Sequence, residues 1–243
     1  MDITKCDKGE ERIMFDRNLF TYDEENHLGY YNGVLVPSTT QLLDIVFPLD
    51  KDIPTERLVN ASERGTEIHE LIETLNSYFD NPFEYKHNLE VVNEVAKNLS
   101  NKAGKKELKD YVAFLNAYKL KPFDYEELIF LLDENGDLIC YGHYDCTFQA
   151  TQDISVDDID LFRENQLYMV DFKTTSLFAK KKTQLQLSIY ALAYEQSSKN
   201  FITNIYGLWL REGVKLIPLN RQDNTYVIKL CKELRKIYDS RNA

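Results

Sequence analysis

Apolar residues recur at helical spacing from Thr55 to Phe79, where Leu58, Ala61, Gly65, Ile68, Ile72 and Leu75 mark one stripe of a long helix. Leu89–Leu99 reads as a shorter helix. Lys105–Tyr118 reads as another, with Leu108, Tyr111, Val112 and Leu115 on one side, and Pro122 ends the region. Strands follow. Glu126–Leu132 and Leu138–Phe148 flank Asp133-Glu-Asn-Gly136, a hairpin turn with glycine where positive φ is needed. In Leu167–Lys173, Leu167, Met169, Asp171 and Lys173 share one face, while Val170 and Phe172 point the other way. Lys182–Gln196 is helical, Phe201–Leu210 and Val214–Leu219 are strands, and Thr225–Tyr238 is a closing helix. Ahead of the long helix, Phe15–Tyr22 and Leu28–Val36 suit a hairpin about Asp23-Glu-Glu-Asn26. Pro37-Ser38-Thr39 caps a helix carrying Leu42, Leu43, Ile45, Val46 and Phe47. The acidic stretch Asp153–Glu164 is either a lid or an extension of its hairpin.

This order predicts an α/β (α+β) fold, a mixed central sheet flanked by helices, with extra N-terminal helices and a hairpin. A chain of 243 residues allows one domain: an appendage over 1–54, a core over 55–220 and a C-terminal helix over 221–243. Apolar residues at 43%, with six Pro and nine Gly, indicate a packed globule. No run of about 18 apolar residues suggests a membrane span, and the polar N-terminus lacks a signal-peptide core, so a cytoplasmic address and no membrane partner are expected. Cys6, Cys140, Cys146 and Cys231 show no CxxC or zinc spacing and read as reduced, largely buried thiols.

Candidate chemistry centres on Asp171 and Lys173, roughly 6.5 Å apart along their strand. A carboxylate beside an amine at a strand end suits metal-assisted attack on a phosphate ester. By itself it describes an exposed ion pair at a strand end better than a catalytic site. Three further segments change that weighting: Arg64-Gly-Thr-Glu-Ile-His69 on the long helix, Gly142-His-Tyr-Asp145 closing a strand, and Gln186-Leu-Ser-Ile-Tyr190 on the following helix. Together, in this order, they resemble the PD-(D/E)XK nuclease superfamily, and within it the RecB-type and CRISPR-adaptation-type exonucleases.

The resemblance implies a restriction-endonuclease-like core and a metal-dependent deoxyribonuclease, an exonuclease acting in DNA replication, recombination or repair; compactness and a Lys-, Asn- and Tyr-rich composition add a phage or other mobile element as one candidate source. It implies Mg²⁺ or Mn²⁺ held by His69, Asp145, Asp171 and the Phe172 carbonyl, with Asp145, Asp171 and Lys173 as the catalytic set. Lys173 is either a base or a source of positive charge. Gln186, supported by Tyr190, orients a ligand or contacts phosphate, and Gln184 is the alternative if the register differs. Thr174 and Thr175 can donate to a phosphate, and Arg64 can bind one or cap the site. Glu126 or Glu127 is a candidate upstream acid. His143 fills a variable motif position and stays outside the catalytic set. Some relatives bind an iron–sulfur cluster through four cysteines, one before the core and three after it; here only Cys231 follows, so no cluster is expected.

The net charge of −11 opposes nucleic acid at long range. Local basic runs then matter: Lys180, Lys181 and Lys182 beside the Asp-x-Lys strand, and the cluster Lys97, Lys102, Lys105, Lys106 and Lys109. The acidic balance also suits a protein partner that delivers the DNA, single-stranded or as a duplex end. A structure-selective endonuclease, an RNA-cutting relative and a non-catalytic nucleic-acid-binding module are the rival readings.

Overall fold

The computed structural model describes residues 4–5, 11–12, 15–48, 54–78, 85–95, 97, 102–211 and 213–242. Two short strands, β1 (Thr4–Lys5) and β2 (Glu11–Arg12), pair first. Next, β3 (Phe20–Asp23), β4 (Leu28–Tyr31) and β5 (Val34–Val36) make a three-stranded antiparallel sheet. The expected hairpin is present, but its first arm begins at Phe20 rather than Phe15, because Asp16 caps a 3-10 turn over Arg17–Leu19, and its second arm is split. Asn32 and Gly33 take φ of 50° and 77° and turn the chain back on itself. Ser38 then caps α1 (Thr39–Val46) in a reciprocal capping box with Gln41.

Three helices follow: α2 (Thr55–Tyr78), α3 (Tyr85–Val95) and α4 (Lys102–Tyr118). On α2 the apolar stripe enters the core at Ile68, Ile72 and Leu75; Ala61 is exposed and Gly65 half-buried. A Cβ at Gly65 would make only ordinary contact with Thr174 Oγ1 at 3.4 Å, so no tight approach explains that glycine. The α3 helix begins one turn before the expected Leu89.

The central sheet contains β6 (Leu120–Leu132), β7 (Leu138–Ala150), β10 (Leu167–Lys173), β11 (Ile202–Leu210) and β12 (Val214–Leu219), in the order β12-β11-β10-β7-β6. It is mixed: β10 runs parallel to β11 and antiparallel to β7. β6 starts six residues before the expected Glu126 and takes in Pro122. An edge strand tolerates that residue because its outer side needs no ladder donor. The acidic segment forms its own hairpin, β8 (Ile154–Val156) and β9 (Ile159–Phe162), turned by Asp157 and Asp158 at positive φ. Helix α5 (Lys180–Ser197) links the parallel strands, and α6 (Asn224–Asn242) closes the chain.

Two cores sandwich the sheet. Leu167 and Met169 face residues of α1, α5 and α6 on one side. Tyr168, Val170 and Phe172 face α2, α3 and α4 on the other. The alternation along β7 breaks between Tyr144 and Cys146. Tyr144 lies in the first core, yet Cys146 and Phe148 lie in the second. Asp145 sits at the break, opposite Glu126 on β6, which has φ of 49°. Irregular strand residues re-aim side chains, and both are acids here.

The glycine of Gly142-x-x-Asp145 has a packing reason. A Cβ there would sit 2.5 Å from Tyr190 Cε1 and 3.1 Å from Thr39 Oγ1. The sheet, α5 and α1 meet over this one residue. Gly142→Ala is therefore expected to destabilise the protein by about 1–3 kcal/mol through overpacking. Thermal denaturation checks this, and an unchanged melting temperature would show that Tyr190 can move aside freely.

Candidate active site

The ladder between β10 and β7 ends at the pair Val170–Cys146. One residue further along β7, the Asp145 carboxylate takes over as acceptor: Phe172 N donates to its Oδ2 at 2.5 Å. His69, on the half-buried edge of α2, spans the gap. Its Nε2 lies 3.1 Å from the Phe172 carbonyl oxygen. Its Nδ1 lies 3.5 Å from Asp145 Oδ1 and 3.9 Å from Glu126 Oε1. One donor atom from each of His69, Glu126 and Asp145 falls within 4.8 Å of the others.

Asp171 stands beside this group on the α5 side of the sheet, 2% exposed. Lys173 Nζ lies 2.7 Å from Asp171 Oδ2 as an ion pair, and 3.5 Å from Gln186 Oε1. Gln186 Nε2 donates to Tyr190 Oη at 3.1 Å. Gln186, not Gln184, is thus the glutamine of the site. His69, Asp145, Asp171, Lys173, Gln186 and Tyr190 all line one cleft of about 470 Å³.

Its electrostatics are those of crowded carboxylates. Burial, then Asp145, Glu73 and Asp171, push the Glu126 carboxyl up to about 8. Burial and Asp145 push Asp171 up to about 6, although Lys173 pulls the other way. Despite burial, Asp171 and Asp145 raise the Lys173 ammonium above its ordinary value. The sequence allows a fall near a bound cation that would make this lysine a base. The ion pair with Asp171 acts in the other direction.

Several predicted residues are engaged elsewhere. Arg64 donates to the Thr174 carbonyl at 2.9 Å and pairs closely with Glu107, so it braces the loop after β10 from outside the cleft lining. Thr174 is buried at 6% exposure, and the Thr175 hydroxyl donates to the Leu177 carbonyl at 2.8 Å. Lys182 pairs with Asp44 at 2.6 Å; Lys180 and Lys181 are exposed in the first turn of α5. In the other basic run Lys97 pairs with Glu94, and Lys106 with Asp110 at 2.6 Å, as an ordinary helix surface does. The side chain of Lys102 lies outside the described residues, as does Cys6. Cys140, Cys146 and Cys231 are buried free thiols. Among the described residues, no helix is long and apolar enough to cross a membrane.

A family model of the PD-(D/E)XK nuclease superfamily matches residues 43–208, well over half of the chain. The chain belongs to the PD-(D/E)XK nuclease superfamily. No curated protein gave a match. The span runs from within α1 into β11 and contains His69, Glu126, Asp145, Asp171, Lys173 and Gln186. The five-stranded mixed sheet between helices fits the restriction-endonuclease-like core of PD-(D/E)XK enzymes, and membership implies a metal-dependent nuclease acting on nucleic acid.

The residues fit a divalent cation. PD-(D/E)XK nucleases use such ions, and oxygen and imidazole donors suit Mg²⁺ or Mn²⁺. The Glu126 carboxyl is raised first by burial and then by the neighbouring carboxylates, whose charge a cation would neutralise. In the sequence Glu126 is one of two adjacent candidate acids. Its left-handed backbone, which no local motif announces, selects it over Glu127.

A pH dependence follows. A carboxyl near 8 in the fold, against 4.5 ordinarily, holds a proton that the unfolded chain has released. Its stabilising contribution is complete below about 4.5 and is lost as pH rises toward 8. In EDTA, the melting temperature should fall from pH 5 to 8, and less so in Glu126→Gln. Added Mn²⁺ should raise it more at pH 8 than at pH 6. Equal Mn²⁺ effects at both values would separate Glu126 from the metal.

Proposed function

We propose that the protein hydrolyses DNA phosphodiester bonds as a Mg²⁺- or Mn²⁺-dependent exonuclease of the RecB-type branch, working in the cytoplasm on DNA replication, recombination or repair. The reading treats the chain as one nuclease domain. The observation that carries it is the convergence of His69, Glu126 and Asp145 on one point, at the cleft that His69 and Asp145 line together with the Asp171–Lys173 pair. The exonuclease branch rests on the likeness of Arg64-Gly-Thr-Glu-Ile-His69 and Gln186-Leu-Ser-Ile-Tyr190 to that group's motifs.

We assign His69, Glu126 and Asp145 as direct holders of the cation, with Asp171 beside them. The Phe172 carbonyl, matched to a ligand position by the family motif, accepts from His69 and fixes that imidazole. A divalent cation there supplies Lewis-acid polarisation of a phosphate ester. Lys173, held as an ammonium by Asp171, neutralises charge building on the non-bridging phosphate oxygens and can hand a proton to the departing oxygen. Gln186 keeps the Lys173 amine aimed into the cleft, and Tyr190 keeps Gln186 in place. Lys180 and Lys181, at the positive end of α5, hold the strand behind the scissile bond.

Labelled single-stranded, duplex and RNA substrates incubated with Mg²⁺, Mn²⁺ or EDTA test this reading. DNA cleavage from an end, abolished by EDTA and by Lys173→Ala, is the expected result. Near-native cleavage by Lys173→Ala would remove that residue from the chemistry. Lys180→Gln with Lys181→Gln should raise KM with little change in kcat. The salt slope of binding should fall by about 0.7 for each phosphate of a single strand that is no longer neutralised.

A further inference from the structure

The cleft has a second wall, contributed in part from outside the span that matches the superfamily. Tyr22 and His27 come from the β3–β4 hairpin and His143 from β7, and all three line the cleft with the acidic group. The Tyr22 and His143 rings lie 5.5 Å apart, tilted by 56°. Tyr22 is half-buried and His143 exposed, so ring surface remains open.

This wall is braced. Tyr22 Oη and His27 Nδ1 share a hydrogen bond of 3.1 Å. Tyr141 Oη donates to the His27 carbonyl at 3.2 Å, and its ring packs edge-on to Tyr22 at 5.9 Å. His27 itself has φ of 53°, a left-handed conformation uncommon outside glycine. Neither cation binding nor the lysine chemistry uses these rings. A flat aromatic ligand would, and a nucleic-acid strand carries one on every nucleotide.

We propose that Tyr22 and His143, steadied by His27 and Tyr141, form a stacking platform for a nucleobase beside the bound phosphate, and that the substrate strand is unpaired. This rests on the nuclease reading above. A base within a duplex is already stacked on both neighbours and must leave the helix to reach a ring. A cleft of about 470 Å³ is pocket-sized. It suits a nucleotide or two of a single strand, on which aromatic stacking acts regardless of sequence.

The test measures binding in a Lys173→Ala background with Mg²⁺, by fluorescence anisotropy of a short labelled thymidine strand. An abasic strand of equal length is the control. Adding Tyr22→Ala should weaken binding of the base-bearing strand about tenfold and leave the abasic strand unaffected. Adding His143→Ala should act in the same direction, and Tyr22→Phe should stay near the parent. A merely structural role for Tyr22 would weaken both strands alike, and that result overturns the platform. So does unchanged binding in both alanine variants, or no binding by the parent. Cleavage by the wild type is followed in parallel. Base-dependent binding without any cleavage would leave the platform standing and remove the nuclease reading; cleavage with no base dependence would do the reverse.

Discussion

The site depends on one local failure of strand regularity. Between Tyr144 and Cys146 the alternation of β7 breaks, and opposite it Glu126 adopts a left-handed backbone. At this break the two acids face each other across the strands, and both reach the imidazole on α2. Asp145 and Glu126 lie within 4 Å of His69 Nδ1. The cost is burial of carboxylates close to one another, which together raise the carboxyls of Glu126 and Asp171. Lys173 offsets part of it on the α5 side; a divalent cation suits the remainder.

The surrounding fold holds this arrangement from three directions. On the α2 side, His69 reaches the Phe172 carbonyl while Arg64 grips the Thr174 carbonyl, so one helix fixes β10 and the loop that follows it. Glu107, 5% exposed, anchors Arg64 from α4. On the opposite side, Gln186 and Tyr190 of α5 meet Lys173 and Gly142. The motif glycine and the motif tyrosine are therefore two halves of one contact. From the third direction the β3–β5 sheet closes over β7 through Phe20, Tyr22 and Tyr141.

Much of this is legible in the sequence, and the parts that are not share a physical cause. Apolar runs bounded by turn signals place β7, β10, β11 and β12 within a few residues; β10, buried on both faces, is a near-continuous buried run rather than an alternating one. The start of β6 is hidden by Pro122, which reads as a terminator unless the strand is known to be an edge. The Asn32-Gly33 turn carries a usable signal, since that dipeptide favours a tight hairpin. Asp145, Asp171, Lys173, His69 and Gln186 do line one cleft. Glu126 cannot be separated from Glu127 by sequence, because only the backbone irregularity at Glu126 decides between them. Arg64 and Lys182 have the sequence character of phosphate-binding groups; their acidic partners, Glu107 and Asp44, lie 43 and 138 residues away. Charge pairing over such distances leaves no local trace.

The central claim is that Glu126, through its left-handed backbone, and Asp145, opposite it at the break in β7, build a cation site with His69. An anomalous-scattering map of crystals soaked in Mn²⁺ tests it directly. The account predicts a peak about 2–2.3 Å from donor atoms of these three residues, with Lys173 still beside Asp171. A strong Mn²⁺ peak elsewhere, or no peak in this cleft at saturating Mn²⁺, would contradict it.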